Sequence, residues 1–238
     1  MRAFLLANAP AILVVIGAIE AVIAIIFVLR CIGLKTNERR TFSLLGFFLA
    51  LGLIFDIAVM LLGNVVSSAD LMVFSRARFV LHGLLIPLLL PMGAYAMGWK
   101  RAPLVIVWII ALVLMAAGVY MGLKVVLEPA TIAGINRYAM GAATPKLAVT
   151  INTILSFGTV IPLMVAGIVA IFRHRGPWVL LGGLAMFAFS ALGPATGNTD
   201  LIFLISAFGE VLMLLFFLFH VLQNDRKLRE RLKDEAKA

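Results

Sequence analysis

The sequence predicts an all-α fold, a polytopic membrane bundle of seven transmembrane helices with its N-terminus outside and its C-terminus cytoplasmic. Three observations carry this expectation. The chain is 63% hydrophobic and 13% charged, which leaves more apolar surface than a water-soluble domain can hide. Its apolar runs approach or exceed the roughly 20 residues needed to cross a hydrocarbon core about 30 Å thick. Its Lys and Arg residues lie mainly in the connections between these runs, 14 on the proposed cytoplasmic side and 6 on the external side, the bias that sets membrane orientation.

That bias also accounts for the formal net charge of +9, so no nucleic-acid partner is expected. The expected location is the cytoplasmic (inner) membrane of a bacterium, as a multi-pass protein in contact with membrane lipids. Residues 1–223 form the predicted seven-helix domain and 224–238 a charged cytoplasmic tail. The single cysteine, Cys31, excludes an internal disulfide and a CxxC metal site.

The first apolar run, Ala11 to Val28, is followed by Arg30 and carries Glu20 near its middle. Its basic residues follow rather than precede it and no Ala-x-Ala site separates it from the next run, so an uncleaved first helix is expected. A basic loop, Arg30 to Arg40, leads to a second helix from Thr41 to about Gly63 that encloses Asp56. Asn64 to Ser75 is expected to be a loop containing Asp70, and the third helix to run from Arg76 to Gly98, closed by Trp99-Lys100-Arg101. Pro87 and Pro91 within it remove backbone donors, which bends a helix and frees carbonyls as acceptors.

Pro103 opens a fourth helix to about Leu123, in which Gly118-x-x-x-Gly122 permits close helix contact and points to a homo-oligomer. The longest connection, Lys124 to Lys146, is expected to be an external loop with a short interfacial helix. The fifth helix, Leu147 to Phe172, places Thr150, Asn152, Thr153 and Ser156 on its outer half. The sixth opens at Gly176-Pro177-Trp178 and ends near Pro194; a tight turn at Gly197-Asn198-Thr199-Asp200 then leads to a seventh carrying Glu210.

Charged side chains in a span cost about 2.5 to 3.5 kcal/mol at the centre and normally face the bundle interior. Glu20, Asp56, His82 and Glu210 are such groups, with Arg78 close by. At the rise of a helix, Glu20 and Glu210 fall near the midplane, Asp56 and His82 successively further out, and Arg78 near the outer boundary. Arg78 and His82, four residues apart, share a helix face. Asn152 adds a polar group at comparable depth. These six residues form the candidate ligand-binding or proton-handling set. No nucleotide-binding, nucleophile-elbow or metal-binding motif accompanies them.

Ala77-Arg78-Phe79, then seven residues, then Pro87-Leu88-Leu89-Leu90 resembles the third helix of microbial (type 1) rhodopsins, with its Ala-Arg-Tyr and Pro-Leu-Leu-Leu elements. The resemblance implies a seven-helix fold with the N-terminus outside and makes Arg78 the arginine of the extracellular proton-release region. Leu81 stands at the counter-ion position and Met92 at the proton-donor position. The seventh helix has no lysine around Ser206-Ala207-Phe208-Gly209-Glu210, so retinal and any other cofactor are not expected. The residues therefore suggest a non-enzymatic protein that binds or transports a small or lipid-like ligand, coupled to protons, through an intramembrane acid/His cluster open to the outer side, with Arg78 and His82 as outer gate or anion contact. An intramembrane enzyme acting on a lipid head group through His82 and a carboxylate is the alternative, and a non-catalytic membrane subunit or retinal-free opsin-like sensor a further one.

Overall fold

Apolar runs in lipid must satisfy every backbone donor and acceptor internally, and the helix does this within one segment. The computed structural model describes residues 5, 7–33, 37–99, 101–195 and 199–235. Its helices are α1 (Ala9–Gly33), α2 (Asn37–Leu62), α3 (Ser68–Leu85), α4 (Leu89–Met97), α5 (Arg101–Lys124), α6 (Lys146–Phe172), α7 (Trp178–Ala195) and α8 (Thr199–Glu235). The helices α3 and α4, joined by a 3-10 turn at Ile86–Leu88, form one bent rod. Among the described residues, six helices are long and apolar enough to cross a membrane, with Ser68–Met97 counted as one. The shorter α7 is not among them: its apolar stretch in the described residues is Trp178–Ala188.

The rods close into a ring in chain order, α1 on α2, α2 on α3, α3 on α5, α5 on α6, α6 on α7, α7 on α8 and α8 back on α1. The bend at Pro87 lets α4 touch α2, α5 and α6, so the third rod crosses inside this ring. Pro87 lacks the N–H that would continue the α ladder, and the tighter 3-10 turn replaces it. Leu13, Phe27, Leu49, Leu89, Met92, Leu163 and Phe217 fill the interior. Val105, Ile106, Ile109, Leu112 and Val113 of α5 are exposed, as befits a face turned to acyl chains rather than water.

The third rod begins earlier than expected. Ser67 caps it at Ser68: the Ser67 hydroxyl accepts from the Asp70 N–H at 3.2 Å and donates to the Asp70 carboxylate at 2.6 Å. The stretch 64–75, polar enough to look like a loop, is thus mostly the first two turns of α3. At its far end Gly98 takes the left-handed conformation (φ 72°) that terminates a helix. Arg173 and Arg175 donate to the Met97 and Tyr95 carbonyls there.

The connection expected to hold an interfacial helix is a β-hairpin instead. Strand β1 (Leu127–Ile132) pairs antiparallel with β2 (Ile135–Met140) through a two-residue turn, Ala133 and Gly134, both at positive φ. That twist matches the twist of paired strands. Asn64 holds the turn: its amide donates to the Gly134 carbonyl at 2.9 Å and its carbonyl accepts from the Asn136 N–H at 2.9 Å. Tyr138 packs against Val59 and Leu71, which seats the hairpin on the ends of α2 and α3.

The Gly118-x-x-x-Gly122 stripe is used within the chain. A Cβ at Gly118 would strike the Gly83 backbone, and one at Gly122 the backbone at Phe79 and Val80. The contact it permits is α3 on α5. The predicted turn at Gly197-Asn198 lies outside the described residues. Helix α8 continues unbroken to Glu235, so residues 224–235 extend the last helix.

Candidate functional site

The bend in the third rod and the ring around it leave a cavity of about 330 Å³ between the third to seventh rods. Its polar lining is His82 from α3, Asn152 and Ser156 from α6, and Ser206 and Glu210 from α8. Met121, Leu155, Val160 and Met186 contribute apolar walls, and Phe157 and Phe187 stand at its edge. Helical spacing builds the two polar stripes: Asn152 and Ser156 are one turn apart on α6, as are Ser206 and Glu210 on α8. The cavity sits beside the 3-10 turn, and Ile86 from that turn lines it.

The six predicted residues divide into three environments. His82, Asn152 and Glu210 line the cavity. Asp56 and Arg78 pair with each other across α2 and α3, with Arg78 Nε 3.1 Å from Asp56 Oδ1. The pair is charge attraction without an aligned hydrogen bond on that oxygen, and the Arg78 guanidinium also lies over the Phe79 ring at 4.9 Å. Glu20 is sealed in the interior at 0% exposure, and neither carboxylate oxygen has a hydrogen-bond partner among the described residues. It does not line the cavity.

These groups still feel one another. Glu210 lies in electrostatic range of Asp56, Glu20 and Arg78, and His82 in range of Asp56 and Arg78. The hairpin adds Arg137, which interacts with both members of the Asp56–Arg78 pair. Burial, reinforced by the neighbouring Arg78 charge and opposed by Asp56, lowers Arg137 to about 10. It therefore keeps its charge at neutral pH. The Glu210 and His82 side chains make no hydrogen bond among the described residues, and no three His, Cys, Asp or Glu side chains there are placed to share a metal ion.

No protein-family model, curated protein or solved structure matches the chain. The chemistry of the cavity must be read from its own residues.

Sequence reasoning missed Ser206, Ser156 and Arg137 as members of this region. Ser206 precedes Glu210 by four residues and Ser156 follows Asn152 by four, so helical spacing from the two residues already chosen would have found them. Arg137 had no such signal, because it reaches Asp56 and Arg78 only once the hairpin folds onto the bundle. At the opposite end of the ring a second charged group is closed. Asp225 of α8 pairs with Arg30 of α1 and with Arg39 of α2, the latter at 3.2 Å. Trp178 Nε1 donates to Gln223 at 2.7 Å beside it.

Proposed function

We propose that the chain is a seven-span protein of the cytoplasmic membrane, N-terminus outside and C-terminus inside, that binds or carries a small or lipid-like ligand in the cavity of His82 and Glu210. Proton exchange at Glu210, with Glu20 and Asp56 behind it, couples to occupancy. The reading rests on one observation above all: an apolar bundle keeps a cavity of about 330 Å³ whose ionisable lining, among the described residues, is one histidine and one carboxylate. Pockets of roughly 300–1,000 Å³ with a few convergent polar groups are the usual size and character of small-molecule sites. An ionisable group in a span is retained at a free-energy cost, which marks it as functional unless it is merely paired.

The orientation is supported by the distribution of Lys and Arg. It puts the hairpin, Arg137 and the Asp56–Arg78 pair on the outer side, and the Arg30, Arg39 and Asp225 cluster at the inner end. In this reading Arg78 and His82 stand between the outer surface and the cavity. The enzymatic alternative keeps the same site, with His82 and Glu210 as an acid–base pair on a lipid head group.

Native mass spectrometry of the purified chain tests the ligand reading. The wild type is expected to retain a bound amphiphile or small molecule. Glu210→Gln and His82→Ala, with unchanged melting behaviour, are expected to lose it. Retention by both variants would remove the cavity from the function, and release of a chemically altered lipid would favour the enzyme.

A further inference from the structure

We propose that the cavity admits a lipophilic amine directly from the membrane, between α6 and α7, and seats its head group on Glu210. The proposal rests on the reading of the cavity as a ligand site and adds a route and a charge to it.

The route follows from which lining residues are exposed. Phe157 is 48% and Phe187 37% exposed, although both line the cavity. Their rings meet edge to face, with centroids 6.5 Å apart. On α6, Ile154, Ile161 and Val165 flank Phe157 on the exposed stripe, a face suited to acyl chains. Further along the same two helices the gap is shut. A Cβ at Gly167 would strike the Leu180 backbone, and one at Gly183 would strike Met164. Gly158, next to Phe157, meets no atom of another element within 4 Å among the described residues. Thus α6 and α7 are tightly packed toward their shared loop and part at the Phe157–Phe187 level, with Pro162 between the two regions on α6. An opening on this face connects the cavity to lipid rather than to either aqueous side. A ligand using it must be soluble in acyl chains, and a tail longer than the cavity can remain among them.

The charge follows from the floor. Among the described residues no Lys or Arg lines the cavity, and Glu210 is its one acid. Among the described residues the ionisable groups in range of Glu210 are two acids, Glu20 and Asp56, and one base, Arg78, and Arg78 is already held by Asp56. Arg137 acts on that pair and is not part of the lining. A phosphate or carboxylate head group would bring a full negative charge into a lining whose one basic group among the described residues is His82, a costly arrangement in a medium of low dielectric. An amine meets the opposite situation. It can travel through lipid uncharged and take the proton of the Glu210 carboxyl, which breaks the O–H bond and forms an N–H bond. The product is an ammonium–carboxylate pair with no net change in charge. Asn152, Ser156 and Ser206 can accept hydrogen bonds from the remaining N–H groups of the ammonium.

The test uses the full chain in phosphatidylcholine nanodiscs with a diazirine-bearing alkylamine as probe. Photolysis followed by peptide mapping is expected to place adducts on α6 and α7 around Phe157 and Phe187. Excess dodecylamine should suppress them, while dodecanoate and dodecanol should not. Adducts suppressed equally by dodecanoate would overturn the amine assignment and leave a ligand cavity of another charge class. Adducts that no amphiphile suppresses would be ordinary lipid contact and would contradict both the amine and the ligand reading. Glu210→Gln is expected to abolish the suppressible labelling. If that variant fails to fold, Phe187→Trp, which narrows the mouth without touching the floor, is expected to slow labelling at the floor; unchanged labelling would exclude this entrance.

Discussion

Arg78 on α3 and Asp56 on α2 form an ion pair at 3.1 Å, with side chains only 11% and 7% exposed. The pair joins two rods at the end of the bundle that the hairpin covers, and it takes both charges out of the cavity lining. Removing one partner strands a buried charge, a loss of about 3–5 kcal/mol, whereas replacing both with apolar groups can be nearly neutral. Asp56→Ala is therefore expected to lower the melting temperature in detergent more than the double variant Asp56→Ala with Arg78→Met. Equal losses would show that the pair is not coupled.

At the other end of the ring, Asp225 serves two arginines from different helices, Arg30 and Arg39. Asp225→Asn removes the charge common to both ion pairs, while Arg39→Gln removes one of the two ion pairs together with the Arg39 bond to the Asn224 carbonyl. Thermal unfolding is expected to rank Asp225→Asn as the more damaging, and the reverse order would mean that the α8 contacts do not hold α1 and α2.

The crossing of α3 and α5 depends on Gly83 and Gly118, whose backbones leave no room for a Cβ on either side. Backbone cannot retreat as a flexible side chain can, so Gly118→Ala should lower stability by about 1–3 kcal/mol through overpacking. A Cβ at Gly158 on α6 meets only Ile154 Cγ2, at an ordinary van der Waals distance of 3.6 Å, so Gly158→Ala should be neutral or slightly stabilising, since alanine favours helix over glycine by about 1 kcal/mol. Size-exclusion recovery after a heating series distinguishes the two variants.

Asn64 supplies two hydrogen bonds to the hairpin, each 2.9 Å long. Each such bond contributes about 0.5–1.5 kcal/mol net. Asn64→Ala is expected to speed amide exchange across residues 127–140 while leaving the helices protected. Unchanged exchange in the hairpin would place its anchor elsewhere, at Tyr138 and its apolar neighbours.

The helices were legible because lipid imposes a simple rule: an apolar run of sufficient length must satisfy its own backbone. The same rule made Glu20, Asp56 and Glu210 conspicuous. Their division into a sealed acid, a paired acid and a cavity acid was not legible, because it depends on which way each helix turns once the ring closes. The start of α3 was misread for a local reason. Ser67 and Asp70 form a cap signal, but the polar residues around them resemble a loop when no apolar run has yet begun. The hairpin was missed because Ala133 occupies a positive-φ position where asparagine or glycine would have announced the turn. With it went Arg137, which reaches the ion pair only through tertiary folding.

The central claim is that Glu210 faces a reachable cavity while Glu20, on a neighbouring helix, is sealed. Cysteine substitution at each position on a Cys31→Ser background measures this directly, through the rate of modification by a small membrane-permeant methanethiosulfonate reagent in the folded protein. Glu210→Cys is expected to react readily and Glu20→Cys to resist until the protein is unfolded. Equal rates in the folded protein, or faster reaction at position 20, would contradict the account.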